Sequence, residues 1–126
     1  MYHLGLVALG GAIGASCRHL SNLLALRAFG PSFPAGTLAV NVAGSLLMGL
    51  LAGYLALRYT GGGEGLRLFL ATGILGGFTT FSAFSLDAVL LWQRGEAAVA
   101  VGYVLASVTL SIGGLLGGLS VAKALA

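Results

Sequence analysis

The sequence predicts an all-α membrane protein: four transmembrane helices with a break in the third, in an antiparallel dual-topology homodimer. Three observations predict it. First, hydrophobic residues make up 58% of the chain and charged residues 7%, whereas a soluble domain carries about 25% charged residues. Second, the charges fall between long apolar stretches, and 126 residues accommodate four spans of roughly 20 residues each. Third, the basic residues divide almost evenly between the two sides that those stretches define. Arg58, Arg67 and Lys123 fall on one side, Arg27 and Arg94 on the other, with Arg18 reaching toward the latter. Orientation is set by the Lys/Arg bias between loops. A balanced chain can insert both ways, which predicts pairing of opposite orientations. The whole chain reads as one four-span membrane domain.

The first span covers about residues 3–26 and carries Arg18 two-thirds of the way along. Gly10 and Gly14 form a G-x-x-x-G pair, the spacing that lets helix backbones approach closely. Pro31, Pro34 and two glycines in "RAFGPSFPAG" mark a loop. The second span covers about 36–57, in a stretch without charge, and Asn41, Ser45, Gly49 and Gly53 form one i, i+4 row on it. "RYTGGGEG" is the next turn. The third span covers about 67–92, "QRGE" is a tight turn, and the fourth span covers about 97–122. On the fourth, Tyr103, Ser107 and Ser111 share a row, and Gly113 and Gly117 repeat the glycine spacing. Glycine totals 22 of 126 residues, against the usual ~7%, with no collagen period. These rows predict helix–helix contact faces.

Several function classes are excluded. The net charge of +3 rests on scattered side chains, too sparse for a nucleic-acid surface. One cysteine, Cys17, allows no internal disulfide and no cysteine metal cluster. The N-terminus has no positive n-region, so a cleaved signal peptide is not expected. His3 and His19 lie apart, no carboxylates pair, and no nucleophile stands near a base, so the chain does not read as an enzyme.

The polar residues inside the spans carry the functional signal, because an unpaired polar group in hydrocarbon costs several kcal/mol. They are Thr37, Asn41 and Ser45 on the second span; Thr72, Thr79, Thr80, Ser82, Ser85 and Asp87 on the third; and Tyr103, Ser107 and Ser111 on the fourth. Singly, each has a structural reading: a Ser or Thr bonds its own i−4 carbonyl, and Asn41 bridges helices. Together they form hydroxyl and amide stripes with no lysine and no mid-span acid, a lining suited to a small hydrated solute.

The third span holds "GGFTTFSAFS" at residues 76–85. Paired glycines followed by paired β-branched threonines make a poor continuous helix. A break from Gly76 to Thr79 would free backbone groups at mid-membrane, which is tolerated where they line a cavity. Freed carbonyls can hold a cation, and the next helix N-terminus attracts an anion. With a restart at Thr80, Phe81 and Phe84 share a face, and their positive ring edges can line an anion's path. The alternatives are a weakened but continuous helix and phenylalanines that serve as filler.

Four segments now resemble one family. "GGAIGASCR" (10–18), "GTLAVNVAGSLLMG" (36–49), "GGFTTFSAFS" (76–85) and "YVLAS" (103–107) are similar, in order and spacing, to motifs of the Fluc (CrcB-type) fluoride channels. The likeness covers essentially the whole chain. Leu75 stands where many members have cysteine. The resemblance implies a dual-topology homodimer of four-helix subunits. It also implies passive, fluoride-selective export through two pores at the dimer interface, across the cytoplasmic (inner) membrane, for fluoride resistance. The partners are then the fluoride ion, membrane lipid and a second copy of the chain. It further implies Na⁺ at the dimer centre, held by the backbone carbonyls of Gly76 and Thr79. By motif position, Asn41, Phe81, Phe84, Tyr103 and Ser107 map to the fluoride pathway, with Thr80 beside them, and Arg18 to a structural or vestibule role. The rival from another class is a small multidrug-type proton-coupled cation exporter, which needs an embedded acid; the first span has none. A non-conducting scaffold subunit would leave the polar stripes unexplained.

Overall fold

A computed structural model describes residues 1–58 and 62–125. Among these residues the chain is helical throughout and no strand occurs. α1 (Tyr2–Phe29) ends at Gly30, whose φ of 75° is open to glycine at little cost. α2 is Ala35–Arg58. The turn expected after it is only partly visible, since residues 59–61 lie outside the described residues. α3 starts as Glu64–Arg67, widens to a π-helix over Leu68–Leu75 and closes with the turn Gly76–Phe78. α4 is Phe81–Gln93, and α5 is Ala97–Leu125. A tight turn through Arg94 and Gly95 (φ 83°) joins the last two.

Ala35–Arg58, the run Glu64–Gln93 and Ala97–Leu125 are long and apolar enough to cross a membrane. α1 has 28 residues, about 42 Å at 1.5 Å per residue, which matches them in length. Its Arg18, His19, Ser21 and Asn22 make it more polar.

Two helix pairs organise the chain: α1 runs along α3, and α2 along α5, with α4 folded against α5. Glycines set both pairings. A Cβ at Gly10 would lie 2.9 Å from Gly73 Cα, and one at Gly14 would overlap the Ile74 carbonyl. The π-helical stretch belongs to this contact: the Gly76 N–H reaches the Ala71 carbonyl five residues back, and such widened turns often mark functional positions. Gly49 and Gly53 of α2 press on Leu115 and Ala122 of α5, as the small-residue row predicts. The expected pair Gly113 and Gly117 is one residue out of register. Both face open space, and Gly114 and Gly118 meet α2 instead. Spacing alone cannot choose between adjacent glycine pairs; the face that α2 covers does.

The core is small, as a chain bathed in lipid allows. Val40, Leu91 and Tyr103 are its most buried large side chains, and Phe84 and Ala100 pack with Leu91 and Tyr103.

Candidate functional site

The third helical run breaks, but later than the glycines suggest. Gly76 and Gly77 stay helical, and the extended residues are Thr79 (φ −85°, ψ 156°) and Thr80 (φ −153°, ψ 117°). Gly77 is instead needed for close approach, since a Cβ there would sit 2.7 Å from the Gly11 carbonyl. Thr79 ends α3 by turning both its N–H and its hydroxyl onto the Leu75 carbonyl, each at 3.0 Å. Thr80 begins α4 as N-cap, its Oγ1 accepting from the Ala83 N–H at 3.1 Å. Ser and Thr favour this position because the side-chain oxygen satisfies an orphan amide.

Asn41 holds the break open. Its Oδ1 accepts from the Thr80 N–H at 2.7 Å, and its Nδ2 donates to the Thr80 carbonyl at 3.0 Å. In a continuous helix that N–H would bond the Gly76 carbonyl, four residues back. The side-chain amide replaces the backbone partner the Thr80 N–H has lost, as backbone at membrane depth requires, and adds a second donor to a carbonyl that already begins α4. Gly44, one turn along α2, leaves room for Thr79: a Cβ there would overlap the threonine methyl. Arg18 Nε donates to the Gly77 carbonyl at 3.2 Å, tying α1 to the last turn of α3.

The break adjoins a groove of about 430 Å³ between α2, α4 and α5. Asn41, Thr79, Thr80, Phe81, Phe84 and Ser107 all line it, so most of the sequence-singled residues converge there. Every lining residue is uncharged. The N-terminal turn of α4 opens onto it, bringing the positive end of a helix dipole, while α3 ends its carbonyls on the other side of the break. Phe81 is 77% exposed, whereas Phe84 is buried, their rings 5.4 Å apart. Ser107 has a buried hydroxyl with no hydrogen-bond partner among the described residues. A buried orphan hydroxyl on a residue that lines a groove is unusual enough to require an explanation. Ser45 and Ser111 extend the same lining; the sequence rows flagged both without giving them a site role.

Tyr103 stands behind Phe84 rather than in the groove. It is 1% exposed and donates its hydroxyl to Asp87 Oδ2 at 3.1 Å, with the Thr37 hydroxyl also beside it. Asp87 and Thr37 line a second hollow, of about 350 Å³, with Asn22, Ser32, Phe33 and Arg94. The sequence marks Asp87 as a polar residue of the third span but offers no partner for it. A polar stripe on each helix was the available signal; which stripes meet was not.

Gly76 lies at an exposed point of α3, and its carbonyl has lost its usual i+4 amide to the Asn41 clamp. Gly77, its neighbour, has its carbonyl engaged by Arg18. Of these two, the Gly76 carbonyl is the oxygen left open to a hard cation, the kind of ligand that a helix C-terminus offers.

The chain matches the family model described as "CrcB-like protein, Camphor Resistance (CrcB)" over residues 5–119. It is 59% identical over 125 residues to the fluoride-specific ion channel FluC of Chelativorans sp. (strain BNC1), covering 99% of each chain. It is 58% identical over 119 residues to the protein of that name from Paracoccus denitrificans (strain Pd 1222), covering 94% of this chain and 93% of that one. The Mesorhizobium japonicum protein of the same name is 55% identical over 125 residues, covering 99% of each.

Proposed function

This chain belongs to the CrcB-like family, and from that premise we propose that it is a fluoride-selective ion channel. It is a multi-pass membrane protein that passes fluoride, the ion for which its relatives are named. Those relatives are named as channels, so the reading is non-enzymatic, and the proton-coupled exporter is left without support.

The observation that carries the mechanism is the uncharged groove with an unpartnered, buried Ser107 hydroxyl in its wall. Fluoride is small and strongly hydrated, so a path must replace its water with donors. The Ser107 hydroxyl is one. The second N–H of Asn41 Nδ2 is another, since the first is spent on Thr80. The Thr80 hydroxyl lies beside them, and the edges of Phe81 and Phe84 offer weak positive potential without a formal charge. An arginine or lysine in the narrow part would hold the ion too long to conduct. Tyr103 acts at the end of this path from behind Phe84, and Arg18 braces the break rather than touching the ion.

The quaternary reading follows from the same surface. Phe81, 77% exposed beside the groove, is covered when a second, antiparallel copy packs there, giving a dual-topology homodimer with two pores. The carbonyls of Gly76 and Thr79 would hold Na⁺, which would supply positive potential beside the fluoride path. Passive export across the cytoplasmic membrane relieves the cell of trapped fluoride.

The test is efflux from liposomes loaded with potassium fluoride or chloride, started with a potassium ionophore. Fast fluoride loss with negligible chloride loss is expected. Equal chloride loss, or no fluoride loss, would remove the channel reading. Phe81→Ile is expected to slow fluoride strongly while leaving the dimer intact, and unchanged flux would take Phe81 out of the path.

A further inference from the structure

Four aromatic rings form a continuous row from the groove to the hollow around Asp87. Phe81 and Phe84 are 5.4 Å apart, Phe84 and Tyr103 5.3 Å, and Tyr103 and Phe33 5.6 Å. The first three lie on α4 and α5. The fourth does not belong to a helix at all: Phe33 sits in the connection between α1 and α2. It meets Tyr103 edge-on, with the ring planes at 88°, the geometry in which one ring's positive edge meets the other's negative face.

A loop residue needs something to hold it there. Arg94 provides it from the turn between α4 and α5, donating an Nη2 hydrogen bond to the Ser32 carbonyl at 2.8 Å. The same guanidinium pairs with Glu96, so it is oriented from one side while it grips the loop on the other. The Ala35 N–H bonds the Phe33 carbonyl at 2.8 Å, closing the loop immediately after the ring. Phe33 and Arg94 line the hollow that also contains Asp87 and Thr37, and Phe33 packs against the core cluster of Phe84, Leu91, Ala100 and Tyr103.

We propose that Phe33 is a positioning residue for conduction: the strap 30–34, pinned by Arg94, presses its ring edge on Tyr103 and thereby keeps the tyrosine hydroxyl on Asp87 and the ring behind Phe84. The proposal rests on the channel reading. Without Phe33, one side of the Tyr103 ring faces the hollow, and the ring can swing into it. The hydroxyl then leaves Asp87, and Phe84 loses its backing in the groove wall.

The experiment is a flux cycle in liposomes using wild type, Phe33→Leu, Tyr103→Phe and the double variant, with Phe33→Tyr as the conservative control. Phe33→Leu is expected to slow fluoride efflux about three- to tenfold, the range one aromatic pair gives, and Phe33→Tyr to restore it. In the Tyr103→Phe background, which has no hydroxyl to position, Phe33→Leu is expected to cost less than it does in the wild-type background, because only the backing of Phe84 is left to lose. A Phe33→Leu flux within about twofold of wild type, or an equal loss in both backgrounds, overturns the proposal. Should Tyr103→Phe carry no flux, the ¹⁹F resonance of 3-fluorotyrosine at position 103 decides. Phe33→Leu is expected to shift or broaden it, and an unchanged line overturns the proposal. Wild-type protein that passes no fluoride overturns the channel reading, and the role of the strap falls with it; wild-type flux with an insensitive Phe33 overturns the strap alone.

Discussion

The clamp of Asn41 on Thr80 gives the most direct quantitative prediction. Asn41→Ala removes two hydrogen bonds, of 2.7 and 3.0 Å, and leaves the Thr80 amide without a partner, while the Thr80 carbonyl, as N-cap, keeps the first hydrogen bond of α4. The lost bond to the carbonyl is worth about 1 kcal/mol net, and the amide left bare costs about 1–3 kcal/mol. The expected loss is then about 2–4 kcal/mol. At 1.4 kcal/mol per factor of ten, the Thr80 amide should exchange about 30- to 700-fold faster. Hydrogen–deuterium exchange of purified protein in nanodiscs reads this amide, and equilibrium unfolding in mixed micelles reads the global loss. Amides in the middle of α2 and α5 serve as reference. If Thr80 exchange in Asn41→Ala stays within about threefold of wild type, a change of less than about 1 kcal/mol, the break does not depend on Asn41 and the reasoning is wrong.

Other outcomes follow from the packing. Gly14→Ala is expected to destabilise by about 1–3 kcal/mol through overpacking, because its Cβ would overlap the Ile74 carbonyl and lie 2.8 Å from the Phe78 amide nitrogen. Gly5→Ala, on the same helix with nothing within 4 Å, is expected to be neutral or slightly stabilising; equal losses in micelle unfolding would refute glycine contact as the basis of the α1–α3 pairing. Arg18→Gln removes a charged donor from the Gly77 carbonyl and is expected to cost about 1.5–3 kcal/mol. Fluoride-over-chloride selectivity should persist in Arg18→Gln; its loss in the liposome assay would move Arg18 into the ion path.

Much of this molecule is legible along the chain. Charge placement marks the helical stretches, because a formal charge in hydrocarbon is costly; Arg18 and Asp87 lie inside the runs with partners in the Gly77 carbonyl and the Tyr103 hydroxyl. The i, i+4 rows are legible too. Asn41 and Ser45 do line the groove, and Gly49 and Gly53 on the same row do press on α5. Motif likeness pointed to Asn41, Thr80, Phe81, Phe84 and Ser107, which meet at one groove.

What the chain does not reveal locally is which backbone group yields. Gly76 and Gly77 look like the breaking residues, since glycine has the weakest helix propensity available there. They remain helical, and Gly77 does so where α1 packs more closely than any side chain permits, a Cβ there lying 2.7 Å from the Gly11 carbonyl. Thr79 and Thr80 open instead, because an amide 39 residues away in sequence satisfies Thr80. Tyr103 likewise reads as a groove hydroxyl but is bonded to Asp87, 16 residues away. By itself, then, the sequence determined that this protein lives in a membrane as apolar helices with polar stripes, since hydrophobicity and period are properties of each segment alone. Only the tertiary structure decided where the third run breaks, which glycines touch and which hydroxyls are left to meet an ion, since a hydrogen bond is assigned only when both partners are in place.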